Sequence, residues 1–304
     1  MSASNSKTVI YAAIAANVLV GITKFVAAAF TGSSAMVAEG LHSIVDTANG
    51  ALLLFGAKRS ARPADAQHPF GHGQELYFWS FVVAVLIFGV GGGMSFYEGI
   101  EHIKHPQPIS DPFWNYIVLA VAMLFNGVSF AVAWREFGKE RNGRSVFRTI
   151  REAKDPSVFT IVFEDAADVV GLILAFLGVF LGHHYNNPTI DGIASIAIGV
   201  LLTAVSVFLA IESKGLLTGE RAEPEIVAGV RRIASADRDV LVAGDPITMH
   251  FGPNAVLLAL GVEFRHTLLA PEVAAAVDRM EAAVRAEFPV VRKIFIEAKT
   301  AGEP

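Results

Sequence analysis

His42-Ser43-Ile44-Val45-Asp46 and Glu164-Asp165-Ala166-Ala167-Asp168 decide how this chain is read. Each carries ligand-type side chains at positions i and i+4, which puts each pair on one helix face. Both stretches lie inside long apolar segments. An ionisable group at bilayer depth costs about 2.5–3.5 kcal/mol on insertion scales, so such groups are retained there for function. A divalent cation held between the two helices would offset that cost. His42, Asp46, Glu164 and Asp168 supply one nitrogen and three oxygens for it, with Asp168 weighted first, Glu164 next and Asp165 less, because Asp165 points about 100° away from Glu164. Zn²⁺ accepts such a set. Mn²⁺, Fe²⁺ and Co²⁺ also suit a site with one imidazole, hard oxygens and no sulfur.

Composition agrees. Of 304 residues, 53% are hydrophobic and 17% are charged, against about 25% charged in soluble domains. Apolar runs near the length of a bilayer recur, and the reading gives six spans: Thr8–Phe30, Ser33–Gly56, Leu76–Ile100, Phe113–Phe137, Val158–Leu181 and Ile190–Ile211. The polar start Met1-Ser2-Ala3-Ser4-Asn5-Ser6-Lys7 lacks a cleavable signal pattern, so the first span is expected to be retained. Lys58, Arg59 and Arg62 lie between spans two and three. Lys139, Arg141, Arg144, Arg148, Arg151 and Lys154 lie between spans four and five. The remaining loops hold little positive charge, which orients both termini toward the cytoplasm. With no cysteine, thiolate sites and disulfides are excluded. The mild net charge of −5 and the lack of a basic run with interleaved aromatics give no sign of nucleic-acid binding.

Apolarity falls after Glu212, dividing the chain into a membrane domain, 1–212, and a soluble C-terminal domain, 213–304. Ile226, Val227, Val230 and Ile233 follow helical spacing behind Pro224. Asp239–Phe251 and Ala255–Phe264 read as strands about the turn Gly252-Pro253-Asn254. Pro271–Phe288 reads as a helix with Val273, Val277, Met280 and Val284 on one stripe, and Val290–Ala298 as a last strand. The order is αββαβ, a small α+β domain of ferredoxin-like type with its helices on one face of a sheet. Such a domain suits pairing with a second copy.

Other polar groups read more plainly. Asp65, His68 and His72, in Asp65-Ala66-Gln67-His68-Pro69-Phe70-Gly71-His72-Gly73, suit a second, exposed metal position on a tight turn. Asn17 and Asn126 read as helix-packing groups, Lys24 as a snorkelling side chain, and Asp191 as the cap of its own helix. Gly89-Val90-Gly91-Gly92-Gly93 lies in an apolar span with no preceding strand, so close helix packing fits it better than a nucleotide loop. His183 and His184 read as part of an ordinary polar loop. The chain lacks the His-Glu-x-x-His helix of a metalloprotease.

Taken together, the His-Ser-x-x-Asp pair, the acidic pair of span five and the Asp-x-x-His-x-Phe-Gly-His-Gly loop resemble the cation diffusion facilitator transporters over nearly the whole chain. The resemblance implies six spans and a cytoplasmic αββαβ domain, a homodimer in a lipid bilayer, and export of a divalent metal ion in exchange for protons, without enzymatic chemistry. It carries His42, Asp46, Glu164 and Asp168 to the transport site, and Asp65, His68 and His72 to a loop site. A bacterial inner membrane fits. A membrane sensor that binds metal without moving it is the alternative class. The common zinc pattern has histidine in place of Glu164, although a subgroup with Phe-Glu-Asp in span five is also zinc-transporting. In the soluble domain only His250 and His266 are available for the metal pair that some members bind, and Lys299 would repel a cation.

Overall fold

The computed structural model describes residues 18–106, 112–141, 145, 149 and 154–299. Its helices are α1 (Val18–Thr31), α2 (Ser34–Ser60), α3 (Gln74–Lys104), α4 (Phe113–Arg141), α5 (Pro156–His184), α6 (Thr189–Thr218), α7 (Pro224–Ala236) and α8 (Ala270–Glu287). The strands are β1 (Val240–Ala243), β2 (Ile247–Gly252), β3 (Ala255–Phe264) and β4 (Val291–Ala298). The chain divides into two compact units, one of residues 1–57 and 78–213, the other of 58–77 and 214–304.

Among the described residues, four helices are long and apolar enough to cross a membrane: Gln74–Lys104, Phe113–Arg135, Phe159–His184 and Thr189–Thr218. The six expected spans are thus met in four. Helix α1 is shorter in the described residues, and the start of the expected first span, with Asn17, lies outside them. Helix α2 has 27 residues, but Glu39, His42, Asp46 and Asn49 dilute its apolar character. Of the expected basic loop between spans four and five, Arg144, Arg148 and Arg151 lie outside the described residues.

In the helical unit, small residues set the distances. A Cβ on Gly40 would meet the Phe25 ring at 2.9 Å, and one on Gly21 would meet Ser43 Cβ at 3.3 Å, so α1 and α2 lie close. The glycine run of α3 forms a π-helical turn, Ile87–Gly93. Here α3 and α6 meet backbone to backbone: a Cβ on Gly199 would stand 2.8 Å from Phe96 N and 2.9 Å from Gly92 O. About two turns further along, a Cβ on Gly99 would stand 2.7 Å from Gly192 O. Of the expected packing run, Gly91 and Gly92 face α6, whereas a Cβ on Gly89 would meet nothing within 4 Å and one on Gly93 only Phe88 O of its own helix.

Helix α2 begins just after Gly32, whose φ of 72° suits only glycine without strain. The free N–H groups of its first turn are met from another helix. Asp191, fully buried at the start of α6, accepts the Ser34 N–H at 2.6 Å and the Ala35 N–H at 3.2 Å through Oδ2, and the Ser33 hydroxyl at 2.9 Å through Oδ1. The expectation that Asp191 caps its own helix is therefore corrected. Asn187 holds that place, accepting the Thr189 N–H through Oδ1 at 3.1 Å, and Asp191 is left to cap α2.

In the second unit, Val256, Leu258, Leu260, Val262 and Phe264 alternate into a core shared with Val230 and Val227 of α7 and Met280, Ala276 and Val284 of α8. Strand β3 pairs antiparallel with β1 and β2 and parallel with β4. The single strand expected over Asp239–Phe251 is broken into β1 and β2 by Gly244-Asp245-Pro246, because Pro246 has no N–H to give to a ladder. The observed order is αβββαβ. Both fragments pair with β3, β1 with its Val262–Phe264 end and β2 with its Ala255–Ala259 end.

Candidate metal sites

Helix α2 sets Glu39, His42, Asp46 and Asn49 at intervals of three and four residues, so they share a face. Helix α5 adds Glu164 and Asp168. The structure brings His42, Asp46 and Asp168 together: one ligand atom from each lies within 4.8 Å of the others. His42 Nε2 stands 2.7 Å from Asp168 Oδ1, and His42 Nδ1 stands 3.5 Å from Asp46 Oδ1. The atoms are close but not in hydrogen-bonding alignment. All four are buried and none has a hydrogen-bond partner. Buried polar atoms left unmet are costly, and here they converge on one point with the donor chemistry of a Zn²⁺ site.

Glu164 does not join this trio. Its Oε1 accepts a hydrogen bond from Asn49 Nδ2 at 2.7 Å. Asp165 accepts the Ser129 hydroxyl of α4 at 3.0 Å, which ties α4 to α5 and leaves Asp165 outside the cluster.

Sequence reading missed Lys24. Far from snorkelling, it is fully buried, with Nζ 2.9 Å from both Glu39 Oε2 and Ser43 Oγ. Snorkelling is unnecessary because the close approach of α1 to α2 delivers a carboxylate within reach. Glu39, one turn from His42 on the same face, was the available signal.

The second cluster is the loop after α2. Asp65 Oδ1 accepts the N–H groups of Gln67 at 2.9 Å and His68 at 2.7 Å, closing a tight turn. Its Oδ2 lies 3.0 Å from His72 Nε2, and Oδ1 lies 3.3 Å from His68 Nδ1. The two imidazole centroids are 4.1 Å apart. One atom each from Asp65, His68 and His72 again falls within 4.8 Å. The hydrogen bond from His72, then that from the His68 backbone, holds the Asp65 carboxyl below the usual carboxylate range. Three of the four expected residues of the first group, and all three of the loop group, come within reach of one another, and both groups could hold a divalent ion.

In the small domain the two histidines have separate partners. His250 is buried, with Nε2 3.6 Å from Glu223 Oε2, while His266 is exposed beside Glu263 at 3.7 Å. Lys299 Nζ lies 4.0 Å from Glu297.

Membrane-length helices with carboxylate and imidazole groups turned inward define a polytopic membrane protein built around a buried ion-binding centre. The cation efflux transmembrane domain matches residues 10–218, and the chain belongs to that family of transporters, the cation diffusion facilitators that its motifs resemble. The chain is similar to the proton-coupled zinc antiporter SLC30A9, mitochondrial, of Xenopus laevis, with 35% identity over 258 residues, 84% of this chain and 46% of that protein. The protein of the same name in Homo sapiens is 34% identical, over 84% of this chain and 45% of its own length. Metal tolerance protein C4 of Arabidopsis thaliana is 29% identical, over 86% of this chain and 57% of its own length. The chain spans about half the length of these curated relatives.

Proposed function

We propose that this protein exports a divalent transition metal, Zn²⁺ foremost, by exchange for protons. One observation carries the reading: in the buried cluster of His42, Asp46 and Asp168, both imidazole nitrogens and one oxygen of each carboxylate lack hydrogen-bond partners among the described residues. Family membership and the names of the zinc antiporters support it. Mn²⁺, Fe²⁺ or Co²⁺ fits the same donors.

The ligands must shed protons to bind the ion, so loading releases protons and unloading takes them back. His42, whose type changes charge near neutral pH, is the natural carrier. Glu164 completes four-coordination when its side chain leaves Asn49 and turns to the ion. Alternating access then moves the occupied site from one side of the bilayer to the other. Asp65, His68 and His72 form a second station for the metal. No bond of a substrate is made or broken, so the activity is transport and not enzymatic. Six spans, cytoplasmic termini, a bacterial inner membrane and a homodimer joined through the C-terminal domain complete the proposal.

The test is metal flux in proteoliposomes under an imposed pH gradient, across a series of Zn²⁺, Mn²⁺, Fe²⁺, Co²⁺ and Cd²⁺. Wild-type protein should move Zn²⁺ only when protons can move the other way. Asp46→Ala and Asp168→Ala should abolish flux while the protein stays folded. Unchanged flux in both would remove these residues from the site.

A further inference from the structure

The unit of residues 58–77 and 214–304 contains a cavity of about 520 Å³ that the transport reading does not use. Arg62, from the loop after α2, and Arg292 and Lys293, from the start of β4, line it together with His72. Phe70 and Phe251 form an apolar wall, their rings 6.0 Å apart. Among the described residues that line the cavity there is no carboxylate. Among the described residues none of the three cations is in an ion pair, and the guanidinium of Arg292 reaches only the Asn254 carbonyl, at 3.5 Å. Three uncompensated cations in one concavity, in a chain of net charge −5, set a local potential that the overall balance does not suggest.

A second observation points the same way. The His72 side chain is only 7% exposed, and its Nδ1 is buried without a hydrogen-bond partner while Nε2 faces Asp65. A buried polar atom of this kind is normally satisfied by a partner. With Nε2 donating to Asp65, Nδ1 of the neutral imidazole is an acceptor, and the P–OH of a hydrogenphosphate or a phosphomonoester monoanion in the cavity would supply its donor.

We infer that this cavity is a binding site for a phosphate-bearing anion, either free phosphate or the phosphomonoester headgroup of a lipid. Two guanidinium groups offer fork-shaped donor pairs matched to phosphate oxygens, and Lys293 adds a compact charge. The volume lies in the range of small-molecule sites, so a headgroup is accommodated as well as the free ion. Clustered Lys and Arg side chains are also the usual chemistry of anionic-lipid recognition. The inference does not depend on metal at the loop or in the membrane domain.

The experiment uses the full chain in nanodiscs with a chelator present, so that metal plays no part. In discs of phosphatidylcholine alone, inorganic phosphate is titrated by calorimetry against chloride at equal ionic strength. In a parallel arm, phosphatidic acid is added to the discs at increasing fraction, and the unfolding temperature is followed. Saturable phosphate binding with no response to phosphatidic acid identifies the free ion as the source. A response to phosphatidic acid alone identifies the lipid. In either case R62Q/K293Q should weaken the response about tenfold or more, and Lys293→Arg should keep it. No saturable response in either arm, or a response that R62Q/K293Q leaves unchanged, overturns the inference.

Discussion

The ammonium of Lys24 lies 2.9 Å from the Glu39 carboxylate, and both side chains are sealed from solvent. The pair joins α1 to the face of α2 that carries His42. Removing one partner leaves the other as an isolated charge in an apolar interior, at a cost of about 3–5 kcal/mol. Glu39→Gln should therefore lower the unfolding temperature of the detergent-solubilised protein sharply. Replacing both, as K24M/E39L, should recover most of the loss, because a matched apolar pair requires no desolvation of charge. Additive losses in the double variant would show that the two side chains act independently.

Asp191 accepts the first two N–H groups of α2, those of Ser34 and Ala35, while the Ser33 hydroxyl accepts that of Met36. Asp191→Ala strands two buried backbone N–H groups as well as the Ser33 and Ser34 hydroxyls. The expected loss is about 2 kcal/mol or more, above that of an ordinary exposed cap. Amide exchange at Ser34 and Ala35 should accelerate far more than exchange in the middle of α2. Uniform acceleration along the helix would mean that the carboxylate does not act as a local cap.

Asn49 donates to Glu164, which keeps that carboxylate away from the trio in the ion-free state. Asn49→Ala leaves Glu164 buried without its donor and should destabilise the metal-free protein by about 1–2 kcal/mol. Saturating Zn²⁺ should remove most of the difference if Glu164 becomes a ligand on loading. A deficit that persists at saturating Zn²⁺ would restrict the ion to His42, Asp46 and Asp168.

The Asp65 carboxyl sits below its usual range in the folded loop, chiefly through its hydrogen bond with His72. A depressed carboxyl contributes its stabilisation above the unfolded value, near 3.9, and loses it as pH falls through the lower folded value. The turn from Asp65 to His68 should therefore hold from neutral pH down to about pH 4 and open only in stronger acid. Proton exchange at the Gln67 and His68 amides would follow this directly. Opening already above pH 5 would show that the Asp65 carboxyl does not set the loop's order.

Sequence reached the membrane domain through two spacings. His42 with Asp46, and Glu164 with Asp168, each mark one face of a helix, and three of those four residues converge in space. Glu164 was placed correctly on its helix, but its contact with Asn49 depends on side-chain rotation, which spacing does not encode. Asp191 and Lys24 were misread for a related reason. A carboxylate near a helix start looks like a cap, and a lysine in an apolar run looks like a snorkel, until the neighbouring helix brings Ser34 or Glu39 within reach. In the small domain, alternation in Ala255–Phe264 gave the central strand, whereas Pro246 should have signalled the break between β1 and β2.

The glycine seam between α3 and α6 bears on how such a machine can move. Where Gly199 faces Phe96 and Gly92, and Gly99 faces Gly192, backbone meets backbone, and the Thr203, Ile196 and Ile103 side chains close on the same glycines. Two rods locked in this way make a poor sliding surface and a good strut. Any rocking of the bundle would then have to be borne by helices beside that strut, among them α2 and α5, which carry His42, Asp46 and Asp168.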